Sequence, residues 1–231
     1  MPDLSYDTVV PRTRIKICGV MRPDDALAAA RAGADAIGLV FYPGAKRCVS
    51  VETARRILHA LPAFVSPVAL FVDQDVDEIR QIAGQLGVRH VQLHGDESPA
   101  TVAALREFTV LKALRAGRQT LQPELEFWRE AMESLELANL QGFVLETPGG
   151  ATGGTGVEND WEGIAALQKA GAFEKLPSII AAGGLRPENV AGVVRLLRPY
   201  AVDVSSGVEE CFGEKSAARI AEFVAAVAEA Q

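Results

Sequence analysis

Cys18 ends the run Arg14-Ile15-Lys16-Ile17, with Gly19 behind it and a helix start at Arg22-Pro23-Asp24-Asp25. Ile15 and Ile17 are β-branched and suit a short strand. A lysine between them is unusual where both faces of a strand are buried. A thiol at a strand's carboxyl end is either a small buried hydrophobe or a reacting group. Glu146 directly follows Val144-Leu145. It is either a carboxyl held against apolar walls, with a raised pKa and able to donate a proton near neutrality, or a solvated loop acid. Arg47, in Pro43-Gly44-Ala45-Lys46-Arg47, either grips a carboxylate with both arms or lies on the surface. His94 is one of three histidines and suits either ligand contact or a loop hydrogen bond.

Two glycine turns add a different chemistry. Ala181-Ala182-Gly183-Gly184-Leu185 and Val204-Ser205-Ser206-Gly207-Val208 each follow an apolar run. Backbone amides in such turns, with a helix N-terminus behind them, can hold a phosphate without a basic side chain. The bland alternative is a tight strand-to-helix connection. The stretch Thr147 to Gly156 has little apolar content, so it is either a cover over a site or a solvated linker.

These residues need a scaffold that brings strand ends together. Apolar runs that suit strands fall near residues 14–18, 35–42, 65–72, 90–93, 109–114, 140–145, 178–182 and 201–204. Helix patterns lie between them, at 25–33, 51–61, 74–86, 98–107, 119–137, 160–170 and 187–197, with a last one at 215–228. Gly33 reads as a helix stop and Ser50 as an N-cap. Strict alternation without a linker predicts one α/β domain, a closed (β/α)8 TIM barrel of parallel strands. An open doubly wound sheet is disfavoured, since Cys18-Gly19-Val20-Met21-Arg22 lacks a GxGxxG turn. In a barrel the reactive face collects Cys18, 42–47, Asp73, 94–97, Arg115, 146–156, Gly183-Gly184 and 205–209. The domain spans residues 14–231, with 1–13 as an N-terminal extension.

Composition sets the limits. The 231 residues are 48% hydrophobic and 23% charged, and the net charge is −7. A broad basic face for nucleic acid is not expected from that balance. Cys18, Cys48 and Cys211 are scattered and odd in number, which argues against a disulfide framework or a zinc site and fits a cytoplasmic location. No apolar run is long enough for a membrane span, and residues 1–13 lack the apolar core of a secretory signal.

The motifs resemble those of a known family. KICGV, GLVFYPGAKRCVS, VALFVD, VQLHGDES, GGTG followed by Asp160-Trp161, AAGGLRPENV and VDVSSGVE occur in order from about Arg14 onward. They are similar to phosphoribosylanthranilate isomerases of tryptophan biosynthesis. The resemblance implies an Amadori rearrangement of N-(5-phosphoribosyl)anthranilate, without metal or organic cofactor. A general acid opens the ribose ring to a Schiff base, and a thiolate then removes the C2′ proton. Cys18 maps onto that base and Glu146 onto the acid. Arg47 is expected at the anthranilate carboxylate, and His94 and Asp203 elsewhere on the substrate. Gly154, Gly183, Gly184, Ser206 and Gly207 are expected at the phosphate.

The family acid is usually aspartate, so Glu146 departs from the pattern by one methylene. Cys48 also stands where an aromatic is common. The partner implied is a small phosphosugar, with neither nucleic acid nor membrane, for a monomer or homodimer. The competing readings are another cofactor-free phosphosugar barrel, such as indole-glycerol-phosphate synthase or a histidine-pathway isomerase, and a phosphosugar binder without turnover.

Overall fold

A computed structural model describes residues 12–117, 119–148 and 158–231. Eight parallel strands close into a barrel in sequence order. They are β1 (Arg14–Ile17), β2 (Ala36–Val40), β3 (Ser66–Phe71), β4 (His90–Leu93), β5 (Thr109–Arg115), β6 (Leu140–Glu146), β7 (Ser178–Ala181) and β8 (Ala201–Val204). Closure comes from β1 on β8, where Lys16 pairs with Asp203 and Ile17 with Val204. Helices α1 (Pro23–Ala32), α2 (Val51–Ala60), α3 (Val76–Leu86), α4 (Pro99–Ala104), α5 (Leu121–Leu135), α6 (Trp161–Lys169), α7 (Pro187–Leu197) and α8 (Ala217–Ala228) complete the repeat.

Side chains alternate along each strand between the barrel interior and the helices. Ile15, Ile17, Ile37, Leu39, Phe71, Leu93 and Phe143 pack outward against helix residues such as Ala29, Ile57, Trp128 and Phe223. The interior holds a smaller apolar layer of Ala113, Val144, Ile180, Ala182 and Ala201. Above it lie Cys18, Val40, Leu70 and Val72. Helix ends follow the expected chemistry. Ser50 accepts a bond from Thr53 N, and Gly33 stops α1 in the left-handed region at a φ of 102°. Among the differences, α4 is shorter than its pattern suggested, because Leu105 leaves helical geometry. A small antiparallel hairpin, β9 (Glu209–Cys211) and β10 (Glu214–Lys215), fills the β8–α8 connection. Its strands are too short to give a period, and Lys215, which the pattern assigns to the last helix, ends the hairpin instead.

Candidate active site

The carboxyl ends of the strands surround a cavity of about 400 Å³. Cys18, Arg47, His94, Glu146 and Asp203 all line it, together with both glycine turns. Five strand ends separated by up to 185 residues therefore meet at one mouth, as the alternating pattern required.

At β1, Lys16 and Cys18 point inward, two residues apart on the same face. The Lys16 ammonium donates to Asp203 Oδ2 at 2.6 Å, and both side chains are buried. The β1–β8 register sets them side by side, which accounts for a lysine in this strand. Burial alone would lower the lysine's pKa, but Asp203 and the nearby thiol outweigh it and hold the ammonium above its ordinary range. Burial, with the Asp203 charge, holds the Cys18 thiol above its ordinary range on balance, and Lys16 offsets part of that rise. Lys16 is therefore the group on hand to stabilise a thiolate. Gly38 on β2 makes room for both, since a Cβ there would lie 2.6 Å from the Cys18 sulfur and 3.2 Å from Lys16 Nζ. Asp203 keeps a second oxygen, Oδ1, which is buried and has no hydrogen-bond partner among the described residues. The Asp203 carboxyl is pushed up by burial and pulled down by Lys16.

Glu146 is the last residue of β6 and is half-buried. Burial, reinforced by the neighbouring Asp203 charge, raises its pKa from 4.5 to about 7. Lys16 and the Thr147 amide act in the other direction. A protonated carboxyl near neutrality is what a general acid requires. The strand end is fixed by Asn159, which is buried and donates to the carbonyls of Leu145 at 3.0 Å and Ala182 at 2.7 Å. It ties β6 to β7 beneath the glutamate, and nothing in its sequence surroundings marks it out.

Arg47 is neither a solvated surface residue nor an unoccupied grip. Its Nε and Nη2 donate to the two Glu209 oxygens at 2.7 and 2.8 Å. The guanidinium carbon also lies 4.9 Å from the Phe212 ring centroid. Buried Lys215 donates to Glu209 at 3.0 Å and to the Ser205 carbonyl at 2.9 Å. Two cations thus share one internal carboxylate, leaving a net positive charge beside the cavity. The arginine's Nη1 is not engaged by Glu209, so one donor arm remains for a ligand. The hairpin that carries Glu209 and Phe212 was absent from the sequence reading, and so was this network.

The remaining strand ends divide. His94 lines the cavity, and burial with the Lys16 and Lys112 charges lowers its pKa to about 4. Asp73, Glu97 and Arg115 turn away from it. Glu97 is buried and accepts from Lys112 at 3.0 Å and from the Asp73 and Gly95 amides, each at 3.0 Å. Asp73 accepts from Asp96 N at 2.6 Å, and Arg115 pairs with Asp96 at 3.1 Å. These three shape the β4–α4 loop. The two glycine turns follow neighbouring strands and lie side by side at the cavity. Gly183 and Gly184 have φ of 91° and 66°, and a Cβ on Gly207 would lie 1.9 Å from the Leu185 carbonyl oxygen. That close approach holds the turns together and leaves no space for a side chain. Gly154, with the rest of 149–157, lies outside the described residues.

A family model described as N-(5′-phosphoribosyl)anthranilate isomerase matches residues 15–226. The chain belongs to that family. A relative from Nitrosococcus oceani bearing that name is 42% identical over 216 residues, covering 94% of this chain and 98% of its own. One from Bordetella parapertussis is 41% identical, covering 94% and 96%. The phosphoribosylanthranilate isomerase of Thermotoga maritima superposes with a TM-score of 0.81 at 35% identity, covering 94% of this chain and 99% of that one. Another isomerase of the family, solved with reduced 1-(o-carboxyphenylamino)-1-deoxyribulose 5-phosphate, gives 0.79 at 33%. The family's activity, an isomerisation in tryptophan biosynthesis, and its barrel go with this membership, so the chain is an enzyme.

Proposed function

We propose that Cys18 and Glu146 are the base and acid of phosphoribosylanthranilate isomerisation in this chain. Glu146 gives its proton to the ribose ring oxygen as the C1′–O bond breaks, leaving a Schiff base at C1′. The Cys18 thiolate, facing the Lys16 ammonium, takes the C2′ proton. The electron pair released moves toward nitrogen to give an enolamine, which tautomerises to the ketone. The amides of Gly183, Gly184, Ser206 and Gly207, with Gly154, hold the phosphate. Arg47 takes the anthranilate carboxylate, and the free oxygen of Asp203 and the ring of His94 take substrate polar groups. Neither metal nor organic cofactor is invoked. The observation that carries the reading is one cavity in which a carboxyl with a pKa of about 7 and a thiol beside a buried ammonium stand together.

The test is a coupled assay with phosphoribosylanthranilate on wild type, Cys18→Ala and Glu146→Gln. Loss of a general acid or base costs roughly 10²–10⁴-fold in rate. Both variants should lose turnover by that order while still binding a product analogue. A fully active Glu146→Gln removes the glutamate from the mechanism, and a fully active Cys18→Ala returns the thiol to packing. A binder without turnover predicts no rate for wild type.

Residues 14–231 are proposed as the catalytic domain and 1–13 as an extension. A cytoplasmic location fits the free state of Cys18, Cys48 and Cys211. Of monomer and homodimer we favour the second. One solved relative, from Thermotoga maritima, is named as dimeric, and Phe64 stands fully exposed at the rim of a cavity at the opposite end of this barrel. Sedimentation of the full chain reads the state directly.

A further inference from the structure

Gln92 stands on β4, fully buried and in the wall of the active-site cavity. Its Nε2 lies 2.9 Å from His94 Nδ1, two residues along the same inward face. Its Oε1 is buried and has no hydrogen-bond partner among the described residues. Nothing in the isomerisation as described uses this residue, yet a buried carboxamide costs stability unless its groups are paired.

The contact admits two arrangements, with opposite consequences for the ligand side of the ring. With the amide N–H₂ toward the ring, Nδ1 accepts, the imidazole proton sits on Nε2, and Nε2–H is the ring's remaining polar group. With the amide turned over, Nδ1 donates and Nε2 presents a lone pair. Turning it over would leave two N–H donors without an acceptor, in place of one N–H and one carbonyl oxygen. Orphaned buried donors are rarer than under-satisfied acceptors. Burial, with the Lys16, Lys112 and Arg115 charges acting against Glu97, keeps the imidazole neutral at pH 7, so it has one proton to place.

We propose that Gln92 is a positioning residue that locks His94 as the Nε2–H tautomer, making it a hydrogen-bond donor to an oxygen of the bound substrate. The second half rests on the substrate role given to His94 above. In this form His94 binds and cannot act as a base, which leaves proton abstraction to Cys18. Its donor suits a ribose hydroxyl or the carboxylate of the aromatic half.

The test begins with ¹⁵N-histidine-labelled full-length protein at pH 7. There are three histidines, and His94→Gln identifies the resonances of interest. The expected long-range ¹H–¹⁵N pattern has Nδ1 unprotonated and Nε2 protonated. A protonated Nδ1 overturns the proposal without any variant. Gln92→Leu, close to the native volume, should then give averaged tautomers, and an unchanged pattern shows that Gln92 is not the lock. Kinetics test the second half. Gln92→Leu should raise KM for phosphoribosylanthranilate about 10-fold, the effect of one ordinary hydrogen bond, with a smaller change in kcat. His94→Gln, whose amide nitrogen sits near the Nε2 position, should retain more affinity than His94→Ala. The Gln92→Leu effect on KM should vanish in the His94→Ala background, where a merely structural role for Gln92 would persist. A lost lock with unchanged KM leaves the tautomer assignment standing and removes His94 from substrate binding.

Discussion

At the scale of single residues, the proposed acid is where this chain leaves the pattern expected from the resemblance. Glu146 has one methylene more than aspartate, and Asn159 fixes the strand end from which it reaches. Its carboxyl is therefore placed by a backbone that is tied down, with only the side chain free to adjust. Shortening that side chain moves the carboxyl rather than the strand. Glu146→Asp should lose on the order of 10²-fold in kcat, the cost of a small misplacement of a reacting group, and keep its KM. Steady-state kinetics with phosphoribosylanthranilate measure both. An aspartate variant as fast as wild type would show that the mouth is spaced for the shorter acid. Cys48 next to Arg47 is half-buried, and its sulfur approaches the Val49 carbonyl at 3.9 Å. Nothing in the structure explains its replacement of an aromatic.

At the scale of elements, the positions of the strands and most helices were legible because alternating burial leaves a strong periodic mark. What the period cannot show is which polar side chains meet across the barrel. Lys16 looked anomalous until the β1–β8 register placed Asp203 beside it. Asp73, Glu97 and Arg115 looked like mouth residues, yet two of them brace the β4–α4 loop from below and the third pairs on its outer side. The sequence places Glu209 at the mouth but hides its hairpin and its partner Lys215, because a two-strand hairpin has no period to read. The loop brace yields its own prediction. Lys112→Met leaves the buried Glu97 carboxylate without its cation, and breaking a buried pair from one side costs roughly 3–5 kcal/mol. Urea unfolding should show that loss as a lower midpoint with an unchanged slope. Adding Glu97→Gln should recover much of it, since the second change removes the stranded charge. A midpoint within error of wild type in Lys112→Met would mean that the loop does not depend on the pair.

At the scale of the whole molecule, the site is a stability cost that the barrel carries. The folded state holds Glu146 with a pKa of about 7, against 4.5 for the exposed group. Between those values the native chain binds more protons than the unfolded one, so stability falls as pH rises. The glutamate's contribution is fully present below about pH 4.5 and is lost progressively up to about pH 7. At about 1.4 kcal/mol per pH unit, the loss over that window is at most about 3–4 kcal/mol. Glu97 and Glu209, whose pKa values are lowered on balance by their cation partners against the cost of burial, act oppositely and only at lower pH. The wild-type enzyme and Glu146→Gln should therefore diverge between pH 5 and pH 8. The glutamine variant cannot ionise at this position, so it should melt above wild type at pH 8, and the gap should narrow toward pH 5. Thermal unfolding across that range, with Glu97 and Glu209 intact in both proteins, isolates the one carboxyl. A gap that stays constant with pH would mean that Glu146 titrates alike folded and unfolded, and the proton donor would have to be sought elsewhere in the cavity.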